Sequence, residues 1–222
     1  MQEPFPELTS LQVFSLEDHG IALALPVEFV GESAPSLRSV ILHGIPFPTL
    51  PTLLLTTNDL VDLDLRNVPQ TGYVSPEAMV VGLAALPRLH HLCVEFQLAN
   101  PRPDRIHPPP VKRTVLPALT EFEFKGSREY LEDLVSRIDA PQLDRINLSY
   151  LNQLVEFQLT QLSMFIDRSV GPKLSPFRYA RVTFYNDLVN FRTYHHANLS
   201  SPHPHLLRLM ASVAGSTDRF RT

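Results

Sequence analysis

One short pattern recurs along this chain of 222 residues, and it limits the possible folds more than any other feature. The pattern is L-x-x-L-x-L, in which other apolar residues can replace leucine, and a proline usually stands two residues before it. A clear copy is Leu119, Phe122 and Phe124, which follow Pro117. The first apolar positions of the seven copies are Leu8, Leu37, Leu60, Leu89, Leu119, Leu143 and Tyr179.

The spacing of these copies is typical of leucine-rich repeats. Successive copies stand 23 to 30 residues apart, except that the last step, from Leu143 to Tyr179, is 36 residues. The usual period of this repeat class is about 20–29 residues, with one strand in each repeat. Apolar residues that alternate along a strand point to one side. A single strand cannot bury such a side alone, so neighbouring repeats must stack.

The sequence therefore predicts an α/β fold, an irregular leucine-rich-repeat solenoid. It should have about seven short parallel strands, with helices or loops on its convex side. We expect an irregular member because the position three residues after each pattern, usually Asn or Cys, is held by residues such as Leu16, Ile45 and Val68. No asparagine ladder can then run along the repeats.

Three helices are predicted between the strands. Ser75 and Ser127 are plausible N-caps, and Pro76 suits a first helical position. The apolar stripes behind these starts are Met79, Leu83 and Leu86 in the first helix, Leu131, Leu134, Val135 and Ile138 in the second, and Val155, Leu159, Leu162 and Ile166 in the third. The run Leu53–Leu55 follows several prolines and is interpreted as the tight convex side of a short repeat.

Residues 1–193 are predicted to form the solenoid, and residues 194–222 a weakly ordered tail. Within the solenoid, residues 97–115 form a Pro/Arg-rich surface loop, because five prolines and four basic residues there exclude a regular helix or central strand. This loop could dock a partner, but a solvated insertion is the more common kind of loop. Arg105 in this loop should be exposed, whereas Phe122 and Leu143 should be buried.

The composition of the chain argues against several classes of function. The net charge of −4 argues against a nucleic-acid partner. The sequence contains no run of about 18 apolar residues, so no membrane span is predicted. The N-terminal residues do not resemble a secretory signal. We expect a cytoplasmic or nuclear protein. The single cysteine, Cys93, excludes an internal disulfide.

Motifs for chemistry are scarce, so we predict no catalytic residue, cofactor or metal. The chain has no Gly-rich phosphate loop and no H-E-x-x-H pattern. The histidines at 195, 196, 203 and 205 and the pair Asp62 and Asp64 could bind a metal, but a polar tail and a solvated strand face explain them more simply. An enzyme or metal-binding protein with a site grafted on the solenoid stays the alternative.

The residues between the inward leucines should point to the concave face, and there we place the partner-binding site. The residues that we predict to bind a partner are Asp62, Asp64, His91, Glu95, Glu121, Glu123 and Arg145. Five acids and two bases in three neighbouring strands give a net charge of −3. This acidic centre would favour a basic segment of a protein partner, or the chain's own loop at 102–113. Ordinary solvated charges are the alternative interpretation.

The run from Leu116 to Leu143 resembles the repeat region of fungal F-box-type leucine-rich-repeat proteins, and residues 162–168 and 180–184 carry similar signatures. The resemblance covers about residues 5–190. It implies a non-enzymatic substrate receptor of a cullin-RING ubiquitin ligase, whose repeats capture the target while an F-box holds the ligase adaptor. It supplies core leucines and no catalytic residue. No F-box-like Leu-Pro-x-Glu segment precedes Leu8, so we expect adaptor binding only if an F-box lies upstream.

Overall fold

The fold was established from a computed structural model, which describes residues 7–15, 34–47, 49–97, 112–151, 159–169, 179–184 and 188–194. The Pro/Arg-rich stretch at 98–111, with Arg105, and the tail from residue 195 lie outside the described residues, as do Val155 and the four histidines of the tail.

Among the described residues, eight strands form one sheet. They are β1 (Ser10–Phe14), β2 (Ser39–His43), β3 (Asp62–Val68), β4 (His91–Phe96), β6 (Glu121–Gly126), β8 (Arg145–Leu151), β9 (Tyr179–Phe184) and β10 (Leu188–Tyr194). Their order in the sheet is β1-β2-β3-β4-β6-β8-β10-β9. A separate two-stranded sheet joins β5 (Thr114–Val115) to β7 (Ile138–Asp139).

The first six strands of the large sheet are neighbours in chain order, and all pair in parallel. Each copy of the repeat pattern supplies one strand, and equivalent positions pair in register. Leu63 is paired with Leu92, for example, and Leu92 with Phe122. This confirms the α/β class and the mostly parallel sheet that the repeats predict.

The seventh copy of the pattern is arranged differently from the prediction. Its strand β9 runs in the same direction as the first six but does not touch β8, because β10 lies between them and is antiparallel to both. Residues 185–187 alone separate β9 from β10. Such a short connection suits an antiparallel pair, whereas a parallel pair needs a crossover of a dozen residues or more.

The described part of the chain has four helices between the strands: α1 (Leu50–Thr56), α2 (Pro76–Leu83), α3 (Arg128–Ser136) and α4 (Thr160–Ser169). A short 3₁₀ helix, Gln70–Gly72, precedes α2. The predicted N-caps are confirmed, since Ser75 accepts a hydrogen bond from the Ala78 N–H and Ser127 from the Tyr130 N–H. Both caps satisfy an N–H group that the first helical turn leaves without a partner.

Three residues of the predicted apolar stripes, Leu86, Ile138 and Leu159, lie outside the helices, and a further helix covers the run Leu53–Leu55. The run Leu53–Leu55 is helical, because Pro51 falls in the first turn of α1, where proline has no N–H to lose. Leu86 is buried but lies beyond the end of α2. Ile138 belongs to β7, since α3 ends at Ser136. In α4, Phe165 is fully buried, and Ile166 is only partly so.

The inward side chains of the strands and the helices form one apolar cluster. Phe122 and Leu143 are 0% and 1% exposed, as predicted. The ring of Tyr130 from α3 stacks on Phe124 and meets Phe96 edge to face. The helices and the apolar cluster therefore occupy one side of the sheet, and the alternate strand residues face the other side.

Candidate functional site

The side of the sheet opposite the helices carries mostly polar side chains in its middle strands, whereas Phe14, Ile41 and Leu151 are apolar residues towards its ends. We call it the polar face and define it by the outward residues of β3, β4, β6, β8 and β10. These residues are Asp62, Asp64, Arg66, His91, Cys93, Glu95, Glu121, Glu123, Lys125, Arg145, Asn147, Ser149, Asn190 and Arg192. All seven residues predicted to bind a partner lie on it.

Strand register arranges these residues in rows that cross the sheet. One row contains Asp62, His91, Glu121 and Arg145, and the next contains Asp64, Cys93, Glu123, Asn147 and Arg192. Neighbouring strands are about 4.8 Å apart. Side chains that are distant in the sequence are therefore direct neighbours, as the repeat pattern predicts.

The acids in the middle of the polar face are bound by one arginine. Arg66 donates from Nε to Asp64 at 2.9 Å, from one terminal nitrogen to Glu95 at 3.1 Å, and from the other to Glu123 at 3.5 Å. Partial burial lowers the pKa of Arg66, but the hydrogen bond with Asp64 and the surrounding negative charges raise it by more. The guanidinium is therefore a permanent cation among three carboxylates.

Strand β3 has a local irregularity next to Arg66. The pairing of β3 with β4 shifts between Leu65 and Val68, and Asn67 has a φ of 52°. A positive φ is uncommon except in glycine, and asparagine tolerates it better than most residues. Arg66 thus stands at a bulge, and bulges re-aim side chains. The sequence shows an Arg-Asn pair here but gives no direct signal that Arg66 would join three strands.

Cys93 lies between Asp64 and Glu123 in its row and is 0% exposed, although it is on the polar face. Arg66 binds the carboxylates on both sides of it, so the guanidinium lies close to the thiol. Burial, followed by the nearby charge of Asp64, raises the pKa of the Cys93 thiol. A protonated and covered thiol is a poor nucleophile, because the thiolate is the reactive form.

Cys93, Glu95 and Glu123 could also hold a metal ion, since their ligand atoms lie within 4.8 Å of one another. Sulfur and carboxylate ligands occur at zinc sites. In this arrangement, however, both carboxylates already bind Arg66. A metal would have to displace the guanidinium and deprotonate the thiol, so the observed contacts favour the ion-pair network.

Along the first row, polar side chains pair across strands. Arg145 binds Glu121 at 3.0 Å, and His91 lies 3.9 Å from Asp62. The side chains of Asp62 and Glu121 are 48% and 35% exposed, whereas that of Asp64 is 16% exposed. Asp62 and Glu121 are therefore the acids that a partner reaches most easily.

The part of the polar face on β8 and β10 has no acidic side chain. The Asn147 side-chain oxygen accepts hydrogen bonds from Asn190 at 3.1 Å and from Arg192 Nε at 3.0 Å. Asn190 also donates to the Ser149 hydroxyl at 2.8 Å. The repeat pattern does not single out Asn190 and Arg192, because β10 lies outside it.

A small cavity lies inside the apolar cluster rather than on the polar face. Its walls are side chains and backbone of residues between Leu42 and Phe96, and they include no titratable side chain. It cannot bring a catalytic group to a substrate. Within the described part of the chain, no helix is long and apolar enough to cross a membrane.

Together these features define an α/β protein with a mostly parallel eight-stranded sheet, helices on one side, and an ion-paired polar face on the other. No family model matches the chain, and no curated protein or solved structure is significantly similar to it.

Proposed function

We propose that this chain is an irregular leucine-rich-repeat solenoid that binds a protein partner on its polar face and has no catalytic activity. One observation carries the proposal. Six copies of the repeat pattern are consecutive parallel strands, and their outward residues form continuous rows. Repeat proteins that stack in this way use extended surfaces to bind partners.

The chemistry of the polar face supports binding rather than catalysis. Its only thiol is covered, and its central carboxylates are engaged by Arg66. A nucleophile or general base needs an accessible group near the reacting atoms. Fixed ion pairs instead present a surface of constant shape and charge pattern.

The partner chemistry that fits the centre of this face is a basic segment of a protein. The strands β3, β4 and β6 carry five acids and two bases there, a net charge of −3. Arg66 binds three of the acids, so the more exposed Asp62 and Glu121 would contact the segment first, although Glu121 also pairs with Arg145. Complementary charges of this kind accelerate encounter more than they strengthen final affinity.

The role that fits best is target capture, similar to that of the repeats of F-box proteins in cullin-RING ubiquitin ligases, in the cytoplasm or nucleus. In that role the chain binds the ligase adaptor only when an F-box is joined to it. A pull-down with purified adaptor, with and without a fused F-box segment, tests this assignment. Adaptor binding by the chain alone would contradict it.

The binding proposal is tested by affinity capture with matched variants. The polar-face variant combines Asp62→Asn with Glu121→Gln. The control variant combines Asp59→Asn with Asp167→Asn, which removes the same charge outside the polar face. Proteins from a cell lysate are captured on each immobilised chain and quantified by mass spectrometry. We expect a set of proteins that the wild type and the control retain and the polar-face variant loses. Identical profiles for all three chains would contradict the proposal.

A further inference from the structure

We propose that the β8 and β10 end of the polar face binds an acidic side chain of the partner, through a site built from Arg192 and Asn147, beside Arg145, which adds positive charge but already pairs with Glu121. This inference rests on the proposed function, because it describes a second contact of the same docking surface. The second contact fixes the orientation of the partner segment on the sheet, with its basic residues over β3 to β6 and its acidic residue over β8 and β10.

The first reason is the distribution of ion pairs. The three best-buried acids of the polar face are bound by Arg66, and Glu121 is bound by Arg145. Arg192, in contrast, has no carboxylate partner among the described residues. It is exposed, and an asparagine oxygen is its one hydrogen-bond acceptor there. A guanidinium has five N–H donors, so Arg192 keeps donors available for an anion.

The second reason is that the guanidinium is held in position. The Nε of Arg192 donates to the Asn147 oxygen, which also accepts from Asn190, and Asn190 is tied to Ser149. Asn147 therefore uses its oxygen within the sheet, and no described residue accepts from its amide nitrogen. An arginine fixed in this way loses less conformational freedom when its remaining donors bind a carboxylate.

The third reason is the charge of the surrounding strands. In β8 and β10, the sequence contains two arginines, Arg145 and Arg192, and no acid. Arg145 is 51% exposed and lies one row from Asn147. An anion at this end would meet positive charge, whereas at the centre of the face it would meet acids.

The size of the surface argues for a segment rather than a globular partner or a second copy. Five strands at about 4.8 Å spacing span roughly 20 Å, and five residues of strand cover about 17 Å. That area is below the roughly 800 Å² per partner of a stable interface. It suits an extended segment of about six residues.

The test uses three fluorescein-labelled peptides of equal length and fluorescence anisotropy. The bipolar peptide has three Lys or Arg residues at one end and three Glu residues at the other, the basic peptide has neutral residues in place of Glu, and the acidic peptide carries Glu alone. We expect the bipolar peptide to bind the wild type more tightly than the basic peptide does. Arg192→Gln should weaken the binding of the bipolar peptide about fivefold, which is the upper range for an exposed charge pair. The affinity of the basic peptide should not change.

Two further variants keep the inference falsifiable. Asn147→Asp preserves the acceptor for Arg192 but adds a negative charge, so it should also weaken the bipolar peptide while it keeps β10 in place. Arg88→Gln is the matched control, because Arg88 is an exposed arginine that pairs with Asp59. Equal weakening by Arg88→Gln and Arg192→Gln would indicate an effect of net charge alone and would overturn the site.

Failure of this site is distinguishable from failure of the proposed function. If the basic peptide binds and loses affinity in the Asp62→Asn/Glu121→Gln variant, but the bipolar peptide gains nothing, the acidic centre docks a partner and the second contact is wrong. If the acidic peptide binds the wild type and all variants alike, the site is also wrong. Inorganic phosphate as competitor shows whether Arg192 prefers phosphate, and displacement by phosphate far below the peptide concentration would overturn the choice of a carboxylate.

Discussion

The two sides of the sheet are built from the same strands, yet they differ in what holds their residues in place. On the helix side, Phe122 and its neighbours are excluded from water by α3 and α4, and shape decides which residue fits. On the polar face, Glu121 and Glu123 flank the same phenylalanine and are held by arginines from β8 and β3. One side stabilises the fold, whereas the other side carries charge that can change at small cost to stability.

The largest expected effect is on the helix side. Phe122→Ala would leave a cavity between β6 and α4, where the ring meets Phe165, and such truncations cost about 3–5 kcal/mol. Arg88→Ala is the control, since its side chain is 65% exposed. Denaturant unfolding should show a much lower midpoint for Phe122→Ala than for Arg88→Ala. Equal midpoints would mean that the assigned core is wrong.

A smaller effect on stability is expected at Gly126, which is next in sequence to Lys125 but lies on the opposite side of the sheet. A Cβ at Gly126 would lie 2.8 Å from Phe124 Cζ and 3.0 Å from Phe96 Cδ2. Because these rings are packed around Tyr130, Gly126→Ala should destabilise by about 1–3 kcal/mol through overpacking. The neighbouring change Lys125→Ala, on the polar face, should stay within about 0.5 kcal/mol. Thermal melts of both variants check this difference, which would disappear if the packing at Gly126 were loose.

Arg66→Gln should have a still smaller effect on stability, and it should clearly change the rate at which Cys93 is alkylated. Loss of the partly exposed cation costs about 1 kcal/mol or less, and added salt should restore part of it by screening the three acids. The charge of Arg66 lowers the pKa of the Cys93 thiol, but we expect the loss of shielding by the guanidinium to have the larger effect. Iodoacetamide should then label Cys93 faster in this variant than in the wild type or in Arg145→Gln. Identical labelling rates in all three proteins would show that Arg66 does not cover Cys93.

The contrast between the two sides of the sheet also explains which features of the fold could be predicted from the sequence. Apolar periodicity predicts the strands, their neighbours and the outward positions, because burial acts on every repeat alike. The N-caps Ser75 and Ser127 carry local signals, and both are confirmed. Pattern alone could not place β10, whose position depends on the short connection to β9.

The details of the polar face were harder to predict for a related reason. A count of charges gives −3 for the centre and treats its acids as one field. Arg66 lies beside the irregularity at Asn67, and its guanidinium binds acids on three strands, which a count of charges does not reveal. Asp64, Glu95 and Glu123 are consequently engaged within the sheet, and Asp62 and Glu121 are the acids best placed for a partner.

The central claim is that the polar face attracts a basic protein segment, and association kinetics test it most directly. The rate at which the labelled basic peptide associates is measured by stopped flow at low and high ionic strength. The chains compared are the wild type, the Asp62→Asn/Glu121→Gln variant and the Asp59→Asn/Asp167→Asn control. We predict fast, salt-sensitive association for the wild type and the control, and slower association with a weaker salt dependence for the polar-face variant. Equal rates and equal salt dependence for all three chains would contradict the claim.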